Sequence, residues 1–399
     1  MNKVKIIEDI SRTTEEFFSL EELKKLLNSG RQLCIKYGVD VTAPTLHIGH
    51  AVNLWVMRKF QDLGHKVVFL IGDFTTQIGD PTGKNKTRPI IPREEIEKNT
   101  LEFIEQAKMV LRFDDPNLLD IRKNSEWFDK LLTSDFLRLM SMITHARLIS
   151  RDMFQKRIEN EMDIYGHELI YPILQGYDSV ILKSDLTIIG SDQLFNEMLG
   201  RFYQERFGQN PQVIITTKIT HGIDGKEKQS KSLGNYIGLA HSPSEKFGRV
   251  MSIPDNLIVE YFKIYTEVPM EDISNIEKLV LTNPMSQKKL LAFKIVERYH
   301  GKETAKDEQE WFEKTFSERI IPSDIEEIEV ESTADVFISV HKYFGLKKSK
   351  SEVRRLFAQG SVSLNQEKII DTNQFVKDGD VLKVGKRVWF RVRFKDGSD

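Results

Sequence analysis

The chain has 399 residues, with 58 Lys and Arg against 60 Asp and Glu, nine His and a single Cys. At roughly 150 residues per domain this predicts two or three domains, and an apolar share of 40% with 30% charged excludes a disordered or fibrous chain. A net charge of −2 excludes a uniformly basic nucleic-acid coat, and the lone Cys34 excludes a disulfide framework or a multi-cysteine zinc site.

Residues 1–10 lack the continuous apolar core of a signal peptide. The longest apolar stretches, such as 67–71, are too short to span a bilayer. A cytoplasmic, reducing compartment and no membrane partner are expected. Residues 4–28 read as helices, with Ser19 capping the second. Residues 33–39 are short and apolar and predict a strand; a helix follows from 48 to about 63. A second strand is expected over 66–74, apolar without alternation, as in a parallel sheet covered on both faces. Residues 72–88, rich in Gly, Thr and Lys, read as a long loop, followed by helices to about 183. Strands are predicted at 186–190 and 213–217 with a helix between them, then a glycine-bearing loop over 221–236.

From 243 to 316 the pattern is helical. Residues 319–335 are acidic and read as a linker. Residues 339–395 hold 14 Lys and Arg against five Asp and Glu, a net +9, which leaves −11 on the rest. That asymmetry marks a separate basic domain. The expected architecture is α/β: a Rossmann-like parallel-sheet catalytic domain (1–240), an α-helical domain (241–320), a linker (321–338) and a small α+β domain (339–399).

Two cationic motifs carry the chemistry. His47-Ile48-Gly49-His50 lies between a strand and a helix. Two imidazoles at a helix N-terminus suit an anion, and Gly49 permits close approach to the backbone. Taken alone, the motif fits a polar helix cap equally well. Lys228-Gln229-Ser230-Lys231-Ser232 puts two lysines three apart in a glycine-flanked loop. That suits a clamp on a polyphosphate, although such a loop is more often a solvated surface. A third group is helical: Tyr171, Gln175 and Asp178 are spaced by four and three and share one face. A phenol, an amide and a carboxylate there could line a pocket for a hydroxylated aromatic zwitterion.

In this order, the two cationic motifs resemble the HIGH and KMSKS sequences of class I aminoacyl-tRNA synthetases; Gln229 stands where the family has Met. The stretch 171–178, the segment Gly190-Ser191-Asp192-Gln193 with Asn196, and the loop 78–84 resemble motifs of the tyrosyl-tRNA synthetases. The resemblance implies activation of L-tyrosine by ATP, then transfer to tRNA(Tyr). It places Thr42 and His47 on the γ-phosphate, with Asp40, Gly49, His50 and Asp192 on the nucleotide. Lys228 and Lys231 would close over the pyrophosphate, aided by Lys84 and Arg88. Asp178 would take the substrate hydroxyl; Tyr171, Gln175 and Asp80 would hold the ammonium, with Gln193 nearby. Mg²⁺ would accompany ATP, with no protein-bound metal. The basic tail resembles the S4 RNA-binding domain, which implies tRNA contacts by Lys347, Lys348, Lys350, Arg354 and Arg355. The family also implies a homodimer. In one branch a tyrosine four residues before the strand-end Asp contacts the hydroxyl; here that position is Lys36, and Tyr37 is one step off.

A tryptophanyl enzyme, a nucleotidylyltransferase and a non-catalytic RNA-binding paralogue are the alternatives. The first leaves the S4-like tail unexplained, and the second leaves the 171/175/178 face unexplained as well. The third leaves the intact signatures without a purpose.

Overall fold

The computed structural model describes residues 3–81, 91–314, 325–365, 367–369, 371–385 and 388–395. The chain divides into two compact units, 1–308 and 309–399. The first is built on a six-stranded sheet: β1 (Thr14–Phe18), β2 (Cys34–Val39), β3 (Lys66–Ile71), β4 (Leu119–Lys123), β5 (Leu186–Gly190) and β6 (Val213–Thr217). Its order is β1-β6-β5-β2-β3-β4. β2 to β6 are parallel and β1 is an antiparallel edge.

The chain winds outward from β2 through β3 to β4, then returns to start β5 on the other side of β2. A ligand crevice is expected at such a reversal, beyond the strands' carboxyl ends. β2 and β3 pair along their whole length, from Cys34↔Lys66 to Val39↔Ile71. β5 joins β2 only at Leu186↔Ile35 and Thr187↔Lys36. Beyond Lys36 the two strands part, and their ends flank a cleft.

Four sequence expectations change. Residues 4–28 are not all helical, because β1 separates the helices Lys3–Ser11 and Leu20–Asn28. Phe17 and Phe18 suit a strand, and β6 supplies the edge they pair with, Phe17↔Ile215 and Phe18↔Ile214. Ser19 does not cap; it turns the chain with φ 69° and makes no side-chain cap bond. β4 lies inside the span expected to be helical; its sequence, LDIRK, has no apolar run to mark a strand, yet it completes the parallel edge against β3. The second strand ends at Ile71 rather than 74.

The helices from Pro243–Met251 to Pro284–His300 belong to the same compact unit as the sheet. Ser242 and Asn283 cap two of them through the N–H groups of Glu245 and Ser286. Arg12 fastens one, donating to the carbonyls of Phe262, Lys263 and Val268 at 2.7–2.9 Å.

The second unit is a five-stranded sheet, order β7-β11-β10-β8-β9, with helices Val336–Phe344 and Lys350–Ala358. Its strands are β7 (Glu326–Val330), β8 (Val362–Leu364), β9 (Glu367–Lys368), β10 (Val381–Val384) and β11 (Val388–Phe394). Val340, Val353, Phe357, Leu382 and Phe390 fill its core. The acidic stretch read as a linker contains β7, which pairs in parallel with β11. Its acidity has a structural reason: Glu327 lies 2.9 Å from Arg393 and 3.7 Å from Arg391 across the ladder.

Candidate active site

The carboxyl ends of β2 and β5, with the N-terminus of the helix Ile48–Gln61, enclose a cavity of about 970 Å³. Its lining brings together Asp40, Thr42, His47, Gly49, His50, Asp80, Tyr171, Gln175, Asp178, Asp192, Gln193, Lys228 and Lys231. Residues more than 180 positions apart thus share one wall. Lys84 and Arg88 lie outside the described residues.

At one end the histidine motif and the lysine motif converge. The rings of His47 and His50 lie 3.7 Å apart, and His50 Nδ1 accepts from the His47 backbone N–H at 3.2 Å. A Cβ at Gly49 would sit 2.9 Å from His47 Nδ1, so glycine is needed for the ring to fold back. Burial, the neighbouring ring and the two lysines keep His47 well below the ordinary imidazole range. Burial, followed by Lys231 and Lys228, drives His50 down to about 3. Both are therefore neutral at pH 7, hydrogen-bonding groups rather than cations. The cations are the lysines. Lys231 Nζ lies 3.5 Å from the Ala43 carbonyl, and burial lowers it to about 8. Lys228 lies 3.3 Å from Asp192. The segment after the loop pairs with the first motif: Ile48 N–H donates to the Ile237 carbonyl at 2.9 Å, and His47 bridges Gly238.

The other end is a polar, buried pocket. The helix Gly166–Leu182 presents Tyr171, Gln175 and Asp178 to it, as their spacing predicts. Trp127 Nε1 donates to Asp178 at 3.0 Å, and Asn124 Nδ2 lies 3.5 Å from its second oxygen. Burial outweighs these donors and the charge of Lys36, and the Asp178 carboxyl is pushed up to about 8. The Tyr171 hydroxyl donates to Asp40 at 3.0 Å, and Thr75 donates to the other Asp40 oxygen at 2.8 Å. Asp40 thus orders the floor between the two ends. Gln193 Nε2 donates to Asp80 at 2.8 Å, and Asn196 ties Gln193 to Gln175 at 3.0 and 2.9 Å.

Sequence reasoning missed the second layer of this pocket. Lys36 is 1% exposed and lies 2.8 Å from Glu197, itself 2% exposed, and 2.7 Å from the Ser179 hydroxyl. Gln175 and Gln212 each donate to Glu197 at 2.8 Å. A lysine inside an apolar strand was a readable signal, since a buried cation requires a partner. Strand alternation separates Lys36 from Tyr37. Tyr37 packs its ring 5.6 Å from Phe69 and hydrogen-bonds Asn53, and burial raises its hydroxyl to about 12. Lys36, not Tyr37, faces the helix that carries Asp178.

In the second unit, Lys347, Lys350, Arg354 and Arg355 are exposed and Lys348 is half-buried, with Lys348 over the Phe344 ring at 5.2 Å and Arg354 over Phe337 at 5.6 Å. Among the described residues no cluster of three or more His, Cys, Asp or Glu could hold a metal ion, and no helix is long and apolar enough to cross a membrane.

A parallel sheet whose crevice at the reversal of strand order gathers a histidine pair and a lysine pair is the design of a class I synthetase. The family described as tRNA synthetases class I (W and Y) matches residues 28–317. The tyrosine–tRNA ligase of Thermotoga maritima is 42% identical over 388 residues, 96% of each chain. That of Carboxydothermus hydrogenoformans is 43% identical, over 94% of this chain and 93% of that protein. The C-terminally truncated mitochondrial tyrosyl-tRNA synthetase of Aspergillus nidulans shares the fold with a TM-score of 0.65 at 23% identity, covering 79% of this chain and 94% of that one. The chain belongs to the class I tRNA synthetases of the W and Y type, and within them to the tyrosine–tRNA ligases.

Proposed function

We propose that the cleft carries out both half-reactions of a tyrosine–tRNA ligase, with tyrosine, ATP and tRNA as substrates. The observation that carries this is the meeting of His47, His50, Lys228 and Lys231 at one end of a cavity whose other end holds Tyr171, Gln175 and Asp178. The tyrosine carboxylate, already ionised at pH 7, attacks the α-phosphorus of ATP, and pyrophosphate leaves. No general base is needed, so the protein's contribution is position and charge. His47 and Thr42 donate to the γ-phosphate, and His50 and Gly49 meet the nucleotide. Asp192 holds the ribose. Lys228 and Lys231 neutralise the departing pyrophosphate, with Lys84 and Arg88 assisting. Mg²⁺ arrives with ATP as part of that substrate.

Asp178 accepts from the substrate hydroxyl, held in place by Trp127 and Asn124. The ammonium lies among Tyr171, Gln175 and Asp80, with Gln193 fixing Asp80. In the second half-reaction the terminal adenosine hydroxyl of tRNA attacks the tyrosyl carbonyl and AMP leaves. The helices after 243 would read the anticodon. Lys347, Lys348, Lys350, Arg354 and Arg355 would meet the tRNA backbone, giving affinity rather than base readout. We place the enzyme in the cytoplasm as a homodimer; the large apolar side chains of Leu132 and Leu137, 66% and 61% exposed, support a face covered by a second copy.

Tyrosine-dependent ATP–pyrophosphate exchange tests the reading. Exchange should appear with tyrosine and not with tryptophan. Equal exchange with and without tyrosine would reject it.

A further inference from the structure

Gln229 occupies the one position at which the second cationic motif departs from the usual family sequence, and its amide is fully engaged. The residue is 7% exposed. Its Nε2 donates to the Tyr265 hydroxyl at 2.6 Å and lies 3.3 Å from the Thr220 hydroxyl. Its Oε1 accepts the backbone N–H of Ile237 at 3.3 Å. The Tyr265 and Thr220 hydroxyls also contact each other. Ile237 in turn accepts from the N–H of Ile48, and Leu239 N–H donates to the Leu46 carbonyl at 2.9 Å. One buried amide therefore links three elements. These are the loop bearing Lys228 and Lys231, the segment paired against His47, and the helix Ile258–Tyr265. A methionine would fill the same space, but it has no donor and only a weakly accepting sulfur. The Ile237 N–H would lose that acceptor, and the Tyr265 hydroxyl would keep only its contact with Thr220; a buried group that loses its partner in this way is costly.

We propose that Gln229 is a positioning residue anchored by Tyr265, whose hydrogen bonds hold Lys228 and Lys231 in register with His47 and His50 over the triphosphate. The proposal rests on the ATP-dependent reading above and deepens it. Gln229 acts through the two lysines and not on the reacting atoms. The tyrosine pocket lies at the cavity's other end, so a register error at the loop should be felt by ATP and not by tyrosine. A generally loosened fold would disturb both.

The test uses the full chain in four forms: wild type, Gln229→Met, Tyr265→Phe and the double variant. KM for ATP and KM for tyrosine are measured separately by pyrophosphate exchange, with equilibrium ATP binding alongside. Gln229→Met should raise KM for ATP by about tenfold, the scale of one or two neutral hydrogen bonds. KM for tyrosine should stay within about twofold. Tyr265→Phe keeps the ring and should raise KM for ATP by about threefold. The double variant should be no worse than Gln229→Met, because both changes cut the same link. Unchanged KM for ATP, equal rises in both KM values, or additive effects in the double variant would overturn the proposal. Should Gln229→Met fail to fold, an unchanged ATP value in Tyr265→Phe overturns it alone. Failure of the functional reading looks different: the wild type gives no tyrosine-dependent exchange, while weakened ATP binding in Gln229→Met still reports the link.

Discussion

Replacing Lys36 by methionine removes the cation from a pair in which both side chains are almost wholly buried, 1% and 2% exposed. Breaking such a pair by deleting one partner costs about 3–5 kcal/mol, because the other charge is left without compensation. Here Glu197 keeps two amide donors, Gln175 and Gln212, each at 2.8 Å. The loss should therefore fall near the lower bound, about 3 kcal/mol. Urea unfolding followed by intrinsic fluorescence measures it. Adding Glu197→Gln removes the stranded charge and should recover about half of the loss. A second consequence reaches the substrate. Lys36 opposes the effect of burial on Asp178, so without it the carboxyl should rise above its present value of about 8. Tyrosine affinity at pH 7 should fall, and the pH at which it plateaus should move upward. A stability loss below about 1 kcal/mol, or a double variant less stable than Lys36→Met, would refute the reasoning.

With Asp178 at about 8, the carboxyl is mostly protonated at neutral pH, and releasing that proton makes it a stronger acceptor for a phenol. Tyrosine affinity in the wild type should thus strengthen as pH rises from 6 to about 8 and then level; titration calorimetry in two buffers should detect the released proton, and Asp178→Asn should abolish the dependence. Because burial lowers Lys231 to about 8, kcat/KM for ATP should decline above that pH as the cation is lost, with no inflection near pH 6.5 from His47 or His50. Lys231→Ala should slow exchange by at least about a hundredfold, a charge-assisted interaction lost in the transition state, while tyrosine binding by equilibrium dialysis stays near normal. A Cβ at Gly72 would lie 2.4 Å from both Asp40 Oδ1 and Thr75 Oγ1, so Gly72→Ala should disrupt the Asp40–Tyr171 link and raise KM for tyrosine in steady-state assays. Arg354→Glu with Lys347→Glu should weaken aminoacylation and flatten its salt dependence, yet leave tRNA-independent exchange unchanged.

The sequence by itself determined the parallel strands of the centre, the two cationic motifs and the polar face of the helix Gly166–Leu182. Those are local properties: apolar runs, glycine between histidines, and spacings of three and four. The charge asymmetry along the chain likewise marked the basic tail. Tertiary structure decided the rest, because the deciding partner is distant in sequence. β1 and β4 are strands only because β6 and β3 offer edges to pair with. β7 hid in an acidic stretch because its carboxylates are matched by Arg391 and Arg393 on β11. Lys36 and Glu197 are 161 positions apart, and no pattern local to either announces the other. The same is true of Gln229 and Tyr265: the motif shows which residue departs, and only the folded chain shows the buried hydroxyl that its amide meets.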